Sequence, residues 1–590
     1  MTQSAPKPSN AELLRRRGVT ELLLGTVAFI AYAGTLVFGF VYDDRLQIVA
    51  NPIIGNWKLV PQYFTHHVWH LIDPRFVANY YRPIFLLWLK LSYAAFGPSP
   101  VYWHLASVVL HILVTLQVFW LTKRLLKNRI AAMVASLLFA VHPVHVESVA
   151  WVSGVTDLLM CVTMLGSVLA FLRWQQTRTV ASYAAALVFA TLAFLSKEPA
   201  IVLPVLIAIS AWAAIPSDTK LSSADRRALI PFFVLAVAYL ALRQHILHGF
   251  SHNMATASVR EMVLTWPAVI VFYLRQLFLP CELSLFHDLP WVDSPLSARF
   301  IVPVAYLLAI VIAIGLTIRA SRERRTLIAA FAWMSIPLAP VMYLRVYMEG
   351  EIVHDRYTYV ASIGLVMVMV LLAQMLLQGV PENKRSLHAR AVAAAFVAVF
   401  MLLTFYNQSD WASDLLLFTH TSKVAPNNVA SMLNLGTVYA EKGDPDSLAI
   451  ARRIFIKVVS MSPDNSGANF NLGHAEYQLH DYANAEKHVY RALEIDPRYG
   501  PWWMHFAGIE LRLGKYLEAE GAAREAIRIT PQEAGYHAAL GAILLSANKT
   551  SEAEKEFNLE LKYHPDDQSA RQGLANLAAI RAGTPATTTH

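Results

Sequence analysis

The chain has 590 residues, of which 56% are hydrophobic and 15% are charged, and its mean hydropathy is +0.41. This composition is typical of an integral membrane protein and excludes a soluble globular protein. The formal charge of +8 does not indicate nucleic-acid binding, because the basic residues form short clusters between apolar runs. The two cysteines, Cys161 and Cys281, are too few for a disulfide framework.

Eleven apolar runs predict membrane-spanning helices, at 18–41, 100–122, 130–147, 152–174, 182–196, 199–215, 229–246, 299–319, 327–346, 357–378 and 391–407. Basic clusters flank alternate runs, at Arg15–Arg17, Lys123–Arg129, Arg173–Arg178, Lys220–Arg227, Arg319–Arg325 and Lys384–Arg390. With eleven crossings all these clusters fall on one side. The positive-inside rule then predicts a cytoplasmic N-terminus and an extracytoplasmic C-terminal region. Because the first run continues to Val41, we predict an uncleaved anchor rather than a signal peptide.

Two further apolar runs, 81–96 and 263–280, do not fit this count as crossings. A crossing at 263–280 would place the cluster Arg319–Arg325 outside, against the positive-inside rule. We therefore predict that 263–280 is re-entrant or lies at the outer surface, and that 81–96 belongs to a long first outer loop. The sequence thus predicts outer-loop helices within 42–99 and 247–298.

The composition changes after Trp411, where a polar sequence with helical periodicity begins. Four prolines recur every 34 residues, at Pro463, Pro497, Pro531 and Pro565. Four alanines precede them by twelve residues, at Ala451, Ala485, Ala519 and Ala553. Small residues at this position let two helices pack closely, and proline ends the second helix. The pattern predicts about four tetratricopeptide repeats, a capping helix over 566–581, and a disordered tail over 582–590.

Ionisable residues collect at the predicted outer ends of the spans, several loops apart in sequence. They include Asp43, Asp44, His66, His67, His70, Arg82, His142, His145, Glu147, Asp157, Lys197, Glu198, Arg243, His245, His248, Arg275, Glu349, Glu351, His354, Asp355 and Arg356. Charged groups at membrane depth are costly and by default indicate function or mutual pairing. Their position on one face predicts a single outward-facing site.

Several of these motifs also have a purely structural interpretation. Asp43 and Asp44 follow directly on the first span, so they are either a catalytic or metal site or the polar end of that span. His142 and His145 flank a proline, a pattern that fits a polar cavity lining or a helix cap better than a metal site.

The basic residues have alternatives of the same kind. Lys197 either pairs with Glu198 in a turn or belongs to the site. Arginines on the predicted outer face break the positive-inside rule, and an anionic partner such as a lipid phosphate would explain them.

Five motifs in a fixed order carry a family resemblance. They are YDD at 42–44, YYRPIFLLWLKLSYAAFG at 80–97, HPVHVESVAWVSGVTDLL at 142–159, FLSKEPAI at 194–201 and HDRYTYVASIG at 354–364. Together with the C-terminal repeats, this order resembles the TMTC proteins, which are transmembrane and tetratricopeptide repeat-containing O-mannosyltransferases with a GT-C glycosyltransferase fold. The resemblance covers nearly the whole chain.

The resemblance implies an all-α fold, in which a polytopic membrane domain of the GT-C type (1–410) precedes a tetratricopeptide α-solenoid (411–581). It also implies a lipid-phosphate sugar donor, an acidic motif in the first outer loop, and repeats on the lumenal or periplasmic side. Val155 stands where the family commonly has arginine, and the repeats are few, so mannose and cadherin-type acceptors carry over poorly. The short, Ala-rich chain suggests a bacterial inner-membrane member, whereas a eukaryotic one would lie in the ER membrane.

On this basis we expect transfer of one sugar from a polyprenyl or dolichyl phosphate to a hydroxyl, of Ser or Thr in a protein. A carboxylate must take the hydroxyl proton, and Asp43 or Asp44 is the candidate base. Fixed cations must stabilise the departing phosphate, and the candidates are Arg82, Arg275, Arg356 and Lys197. The residues expected to line the site are Tyr81, His142, His145, Glu147, Asp157, Glu198, His354 and Asp355.

Two questions stay open at this point: whether the site binds a metal, and whether the protein is an enzyme, a scaffold or a transporter. Adjacent carboxylates can hold a divalent metal, but the pair lacks a DxD spacing and we favour no metal. A non-catalytic scaffold whose repeats assemble envelope proteins would tolerate substitution of the acidic pair. A lipid-linked sugar transporter would need polar residues deep in the spans, whereas the midplanes are almost purely apolar. The expected partners are membrane lipid, the lipid-linked sugar and a protein at the repeats.

Overall fold

The structure is a computed structural model that describes residues 10–72, 78–249, 251–252, 254, 257–348, 350–379 and 381–581. The tail 582–590 and the side chains of Arg15–Arg17, Lys384 and Arg385 lie outside the described part of the chain. Within that part every regular element is helical, which confirms the predicted all-α fold.

The chain divides into two compact units, Met1–Ala425 and Pro426–His590. The first unit contains α1 (Asn10–Tyr32), α2 (Pro83–Phe96), α3 (Pro100–Leu126), α4 (Arg129–Ala140), α5 (Val146–Ala150), α6 (Val155–Thr177), α7 (Val180–Ser196), α8 (Leu203–Ala214), α9 (Ser223–Ile246), α10 (Val259–Phe278), α11 (Ala298–Ala320), α12 (Arg324–Ser335), α13 (Ala361–Leu376), α14 (Glu382–Gln408) and α15 (Asp414–Val424).

The boundary between the units lies further along the chain than the predicted 410/411, because α15 packs on the first unit. Asp414 Oδ1 accepts a hydrogen bond from Tyr42 N at 2.8 Å. The ring of Phe418 meets that of Tyr42 at 5.8 Å between centroids, and His420 Nε2 donates to Leu283 O at 2.9 Å.

Eight helical segments of the described chain are long and apolar enough to cross a membrane, at Gly18–Val37, Pro100–Leu126, Val152–Thr177, Ser223–Ile246, Val259–Phe278, Ala298–Ala320, Arg324–Met342 and Leu387–Ala412. A ninth is possible if the pair Arg129–Ala140 and Pro143–Ala150, bent by 52°, forms one span. Three predicted crossings are shorter apolar helices, at Val180–Ser196, Glu198–Ala214 and Ala361–Leu376. Length and composition therefore do not reproduce the predicted eleven crossings, although they show a multi-pass membrane protein.

Basic residues join neighbouring helices at one end of the first unit, which we call the basic end. Arg129 Nη2 donates to Thr20 Oγ1 at 2.8 Å, and Arg124 Nη1 donates to Leu172 O at 3.0 Å. Arg178 forms an ion pair of 2.7 Å with Asp225 between α6 and α9. The short helix α7 begins beside this pair and leads to Lys197, which lies far from it at the other end.

Helix α10 is one of the two apolar runs that the sequence did not count as crossings. It is long and apolar enough to cross, yet the residues on both sides of it contact the end opposite the basic end. Before the helix, Met254 N donates to Arg345 O at 2.8 Å. Near its C-terminus, Gln276 Nε2 donates to Asp355 Oδ1 at 2.9 Å.

The second unit is a stack of helix pairs. It contains α16 (Val429–Ala440), α17 (Pro445–Met461), α18 (Ser466–Gln478), α19 (Tyr482–Ile495), α20 (Gly500–Arg512), α21 (Tyr516–Ile529), α22 (Tyr536–Ser546), α23 (Thr550–Tyr563) and α24 (Gln568–Arg581). Within the described residues 426–581 these are four helix pairs and a final single helix.

Close packing within each pair depends on small residues. The alanines of the 34-residue period, Ala451, Ala485, Ala519 and Ala553, are all 0% exposed. A Cβ at Gly541 would lie 2.7 Å from a ring carbon of Phe557, a distance that a real side chain cannot adopt. The repeat spacing therefore reflects the closest approach of two helices.

Candidate active site

The segment after α1 has an unusual backbone conformation. Tyr42 has a φ angle of 53°, in the left-handed region that is rare for bulky residues. Its N–H is bonded to Asp414, and its ring lies 5.9 Å from that of Trp151 between centroids. Such a conformation persists only where the surrounding contacts impose it. These contacts fix the direction of the next residue, Asp43.

Asp44 anchors this segment to the loop before α6. Its side chain is fully buried, and Oδ1 accepts hydrogen bonds from Ser153 N at 2.8 Å and from Ser153 Oγ at 2.5 Å. Oδ2 accepts one from Val41 N at 3.2 Å. Burial raises the pKa of Asp44 to about 7, although these hydrogen bonds oppose the rise. Both carboxylate oxygens of Asp44 thus already accept hydrogen bonds from the protein.

Asp43 instead faces a cavity of about 330 Å³, which we call the site cavity. Within the described part of the chain, its charged lining residues are Asp43, Arg82, Lys197, Glu351 and Arg356. Among the described residues the Asp43 carboxylate accepts no hydrogen bond. Burial raises its pKa to about 6, and the nearby Arg356 guanidinium opposes that rise. The group is therefore a carboxylate at neutral pH that remains available to a ligand.

Two arginines of the site cavity are each held by a carboxylate behind them. Arg82 donates through Nε and Nη2 to Glu198, with the shortest bond 2.8 Å. Arg356 forms an ion pair with Glu147, whose second oxygen accepts a bond from Arg356 N at 2.8 Å. The side chains of both arginines are only 15% and 14% exposed. The bidentate contact with Glu198 fixes the Arg82 guanidinium in one orientation, whereas Glu147 holds Arg356 through one guanidinium nitrogen and the backbone N–H.

The third cation is Lys197, which pairs with Asp157 at 2.6 Å, and the two side chains are 2% and 3% exposed. Burial lowers the pKa of Lys197 to about 8, and the Asp157 charge opposes this fall. The ammonium also lies 5.4 Å from the ring centroid of Tyr357. At neutral pH the site cavity therefore contains a charged lysine whose proton is weakly held.

Aromatic rings lie close to the guanidinium groups of Arg82 and Arg356. The Arg82 guanidinium lies 4.4 Å from the ring centroid of Tyr80. That of Arg356 lies 5.3 Å from the centroids of both Trp151 and Tyr357. Cation–π contacts of this geometry are stronger in desolvated surroundings, so the rings add to the positioning of the cations.

One predicted phosphate ligand lies elsewhere. Arg275 does not line the site cavity but forms an ion pair with Glu282, in which both side chains are exposed, at 53% and 63%. It lies at the edge of a separate, largely apolar groove lined by residues of α10, α11, α12 and α13. The sequence shows only that Arg275 lies in an outer loop region, whereas its distance from Asp43 depends on how α10 packs.

Two predicted lining residues are structural histidines. Both ring nitrogens of His142 are used, because Nε2 donates to Leu277 O at 3.0 Å and Nδ1 accepts from Val144 N at 3.3 Å. His145 Nε2 is 2.8 Å from Ser362 Oγ. Neither histidine lines the site cavity, which agrees with the capping interpretation of this motif.

The residues of the motif at 354–357 have different roles, because some hold the fold together and others line the site cavity. Asp355 accepts hydrogen bonds from Gln276, from Ser284 N at 2.7 Å and from His287 at 3.0 Å, so it fastens the segment after α10. His354 lines the site cavity. The predicted Tyr81 is not among the lining residues of the site cavity, and its hydroxyl donates to Phe64 O at 3.0 Å.

Glu351 is a lining residue to which the sequence assigned no role. It belongs to the polar stretch 349–357, so its type and place were visible. The sequence did not show that Glu351 lies near Asp43, because this proximity follows from the irregular loop between α12 and α13.

A second cavity of about 260 Å³, which we call the side cavity, adjoins the site cavity. The two share the lining residues Asn79, Tyr80, Arg82, Lys197, Val346, Tyr347 and Tyr357. Beyond these, residues of α9 and of the Ile336–Met342 turn line the side cavity. Arg82 and Lys197 thus line both cavities, and Glu198 and Arg243 also line the side cavity. Among the described residues no cluster of three or more His, Cys, Asp or Glu side chains has a geometry that holds a metal ion.

Two family models match the chain. Residues 81–244 match the model described as Dolichyl-phosphate-mannose-protein mannosyltransferase, and residues 433–500 and 507–570 match a Tetratricopeptide repeat model. The first match includes Arg82, Glu147, Asp157, Lys197 and Glu198, whereas Asp43, Glu351 and Arg356 lie outside it. The second match confirms the repeats.

Curated O-mannosyl-transferases are similar to the chain at low identity. The chain is 24% identical over 585 residues to protein O-mannosyl-transferase TMTC3 of Homo sapiens, covering 91% of this chain and 63% of that protein. It is 34% identical over 203 residues to Tmtc1 of Drosophila melanogaster, covering 34% of this chain and 24% of that protein. The chain thus spans less than two thirds of these relatives. The chain matches a mannosyltransferase model over 81–244 and a repeat model further along, and it is distantly similar to TMTC O-mannosyltransferases.

Solved structures of other proteins match about a quarter to a third of this chain. One is YrrB, a TPR protein with an unusual peptide-binding site, at 18% identity, with a TM-score of 0.26 and coverage of 30% of this chain and 87% of that chain. Another is MamA, at 22% identity, with a TM-score of 0.25 and coverage of 27% and 91%.

Proposed function

We propose that this chain is a membrane glycosyltransferase that moves a monosaccharide, mannose in the first instance, from a polyprenyl or dolichyl phosphate to a Ser or Thr hydroxyl of a protein. One observation carries the proposal: a carboxylate available to a ligand shares a buried cavity with three fixed cations. The match of 81–244 to the mannosyltransferase model supports the same chemistry. The proposal places the site on the extracytoplasmic face of a bacterial inner membrane, or on the lumenal face of the ER membrane.

The reaction is a single displacement at the anomeric carbon. The acceptor oxygen forms a bond to this carbon as the bond from the carbon to the phosphate oxygen breaks, and the phosphate leaves with the electron pair. The hydroxyl proton passes to a carboxylate. Because one displacement takes place, the configuration of the anomeric carbon inverts.

Asp43 is the base in this proposal, and Asp44 positions it. Asp44 already accepts three hydrogen bonds from the protein, so taking a substrate proton would break this anchor. Asp43 has its carboxylate in the site cavity and a pKa of about 6. A base with a pKa close to the working pH combines ionisation with a useful proton affinity, which contributes roughly 10²–10⁴-fold to the rate.

The cations stabilise the leaving phosphate, which gains one negative charge as the bond breaks. Arginine has five N–H donors, and Glu198 takes Nε and Nη2 of Arg82, so Nη1 is left for a phosphate oxygen. Lys197 uses one of three N–H groups on Asp157. Removing a well-placed donor of this kind costs roughly 3–4 kcal/mol of transition-state stabilisation.

In this proposal the lipid tail of the donor leaves the phosphate through the side cavity. This cavity begins at Arg82 and Lys197 and continues between α9 and the Ile336–Met342 turn. A phosphate held by these two cations would therefore place its sugar in the site cavity and its tail toward the lipid. The repeats would bind the protein acceptor or a partner protein, since a solenoid offers an extended surface for peptides.

The test is an in vitro transfer assay with the purified full chain in detergent. Polyprenyl-phosphate mannose and a Ser/Thr-containing acceptor peptide are mixed, and mass spectrometry follows the mass of the peptide. A hexose added to the peptide supports the proposal, and a parallel reaction with EDTA tests for a divalent metal. Donor binding with no transfer to any acceptor would instead favour a scaffold or a transporter.

A further inference from the structure

Glu351 lies in the loop between α12 and α13 and lines the site cavity. Its backbone N–H donates to Met348 O at 3.1 Å. Its carboxylate forms no hydrogen bond or close ion pair with any other described residue. The side chain therefore has no structural task within the described part of the chain.

Glu351 differs from the lining cations of the site cavity, because no residue of opposite charge is paired with it in the described part of the chain. Among the described residues, each of the three lining cations has its own carboxylate, and none of those three carboxylates lines the site cavity. Within the same part of the chain, the carboxylates that line the site cavity are Asp43 and Glu351. Burial raises the pKa of Glu351 to about 7, Arg356 opposes the rise, and Asp43 adds to it. Glu351 therefore exchanges readily between accepting and donating hydrogen bonds near neutral pH.

The order of the cavities shows which part of a donor Glu351 would meet. Arg82 and Lys197 line both cavities, whereas Asp43, Glu351 and Arg356 line the site cavity and not the side cavity. A donor with its tail in the side cavity and its phosphate at Arg82 and Lys197 has its sugar among those three residues. Asp43 is required at the acceptor hydroxyl, which leaves Glu351 for the hydroxyl groups of the sugar ring.

We propose that Glu351 binds hydroxyl groups of the transferred sugar and thereby selects the sugar of the donor. This assignment rests on the proposed function. A carboxylate suits the role because it accepts several hydrogen bonds, and hydrogen bonds to a charged group are stronger than neutral ones. The protonated carboxyl group serves as well, since it adds an O–H donor for a ring hydroxyl oxygen.

The experiment compares two ligands of equal chain length, polyprenyl phosphate and polyprenyl-phosphate mannose, on the full chain in nanodiscs. Glu351→Ala should weaken binding of the mannose-bearing lipid by ~10–100-fold, the factor expected for a lost hydrogen bond to a charged group. Binding of the sugar-free lipid should stay within a factor of about two. Glu323→Ala, at an exposed glutamate before α12, serves as the matched control and should change neither affinity.

The variant Glu351→Gln separates the effect of side-chain size on affinity from the effect of side-chain charge. The amide keeps the shape and part of the hydrogen bonding, so its loss of affinity should lie between those of the unaltered chain and Glu351→Ala. Equal weakening of both lipids, or unchanged binding of the mannose-bearing lipid, would overturn the assignment of Glu351 alone. Failure of the unaltered chain to bind either lipid would overturn the proposed function, and the assignment with it.

Discussion

Breaking the buried ion pair of Lys197 and Asp157 should separate stability from donor binding. Both side chains are almost fully buried, at 2% and 3% exposure, and their charged atoms are 2.6 Å apart. Removing one partner of such a pair leaves an uncompensated buried charge, which costs roughly 3–5 kcal/mol. Asp157→Asn and Lys197→Met should therefore each lower the thermal unfolding midpoint of the chain in detergent.

The double variant Asp157→Asn/Lys197→Met should recover part of this loss, because neither charge then remains. The coupling energy of the double-mutant cycle should be about 1–3 kcal/mol. Polyprenyl-phosphate affinity should behave differently, since it depends on the Lys197 charge. It should stay low in the double variant although stability recovers.

The pH dependence of polyprenyl-phosphate affinity is a second test of the role of this ion pair. The unaltered chain should lose phosphate affinity as the pH rises through about 8, the pKa of Lys197. In Asp157→Asn this loss should move to lower pH, because the Asp157 charge holds the Lys197 proton. Strictly additive destabilisation in the cycle, or a phosphate affinity that recovers with stability, would refute the reasoning.

Three further predictions follow from other parts of the structure. The kcat/KM of sugar transfer should fall tenfold per pH unit below about 6, as Asp43 takes up a proton; a profile flat down to pH 5 would contradict this role. In the repeat fragment 426–581, Ala485→Leu should overpack a fully buried position and cost about 1–3 kcal/mol in denaturant unfolding. Gly521→Ala, with open space around it, should not destabilise the fragment. A topology reporter fused after Arg390 should read cytoplasmic and one after Pro426 extracytoplasmic, and the reverse pair would place the site on the cytoplasmic face.

The helices and the repeats could be predicted because they follow from local patterns. The 34-residue period of proline and alanine is a direct trace of helix pairs that pack at a fixed distance. Apolar runs located most of the long helices for the same reason, since hydrophobic length is a property of consecutive residues. The part played by α15 was missed because Asp414 and Phe418 contact Tyr42 from more than 370 positions away.

Prediction of the site was partial. The sequence showed that polar residues gather at one end, and Asp43, Arg82, Lys197, His354 and Arg356 do line one cavity. It did not show that neighbouring carboxylates differ in environment, as Asp43 and Asp44 do. That difference depends on Ser153, which lies far away in sequence, and on the strained backbone at Tyr42.

The central claim is that Asp43 takes the proton of the acceptor hydroxyl. The most direct measurement is the single-turnover rate of sugar transfer by Asp43→Asn with saturating polyprenyl-phosphate mannose. An amide keeps the size of the side chain but cannot serve as the base, so the rate should fall by at least ~10²-fold, while donor affinity stays unchanged. A rate equal to that of the unaltered chain would contradict the account.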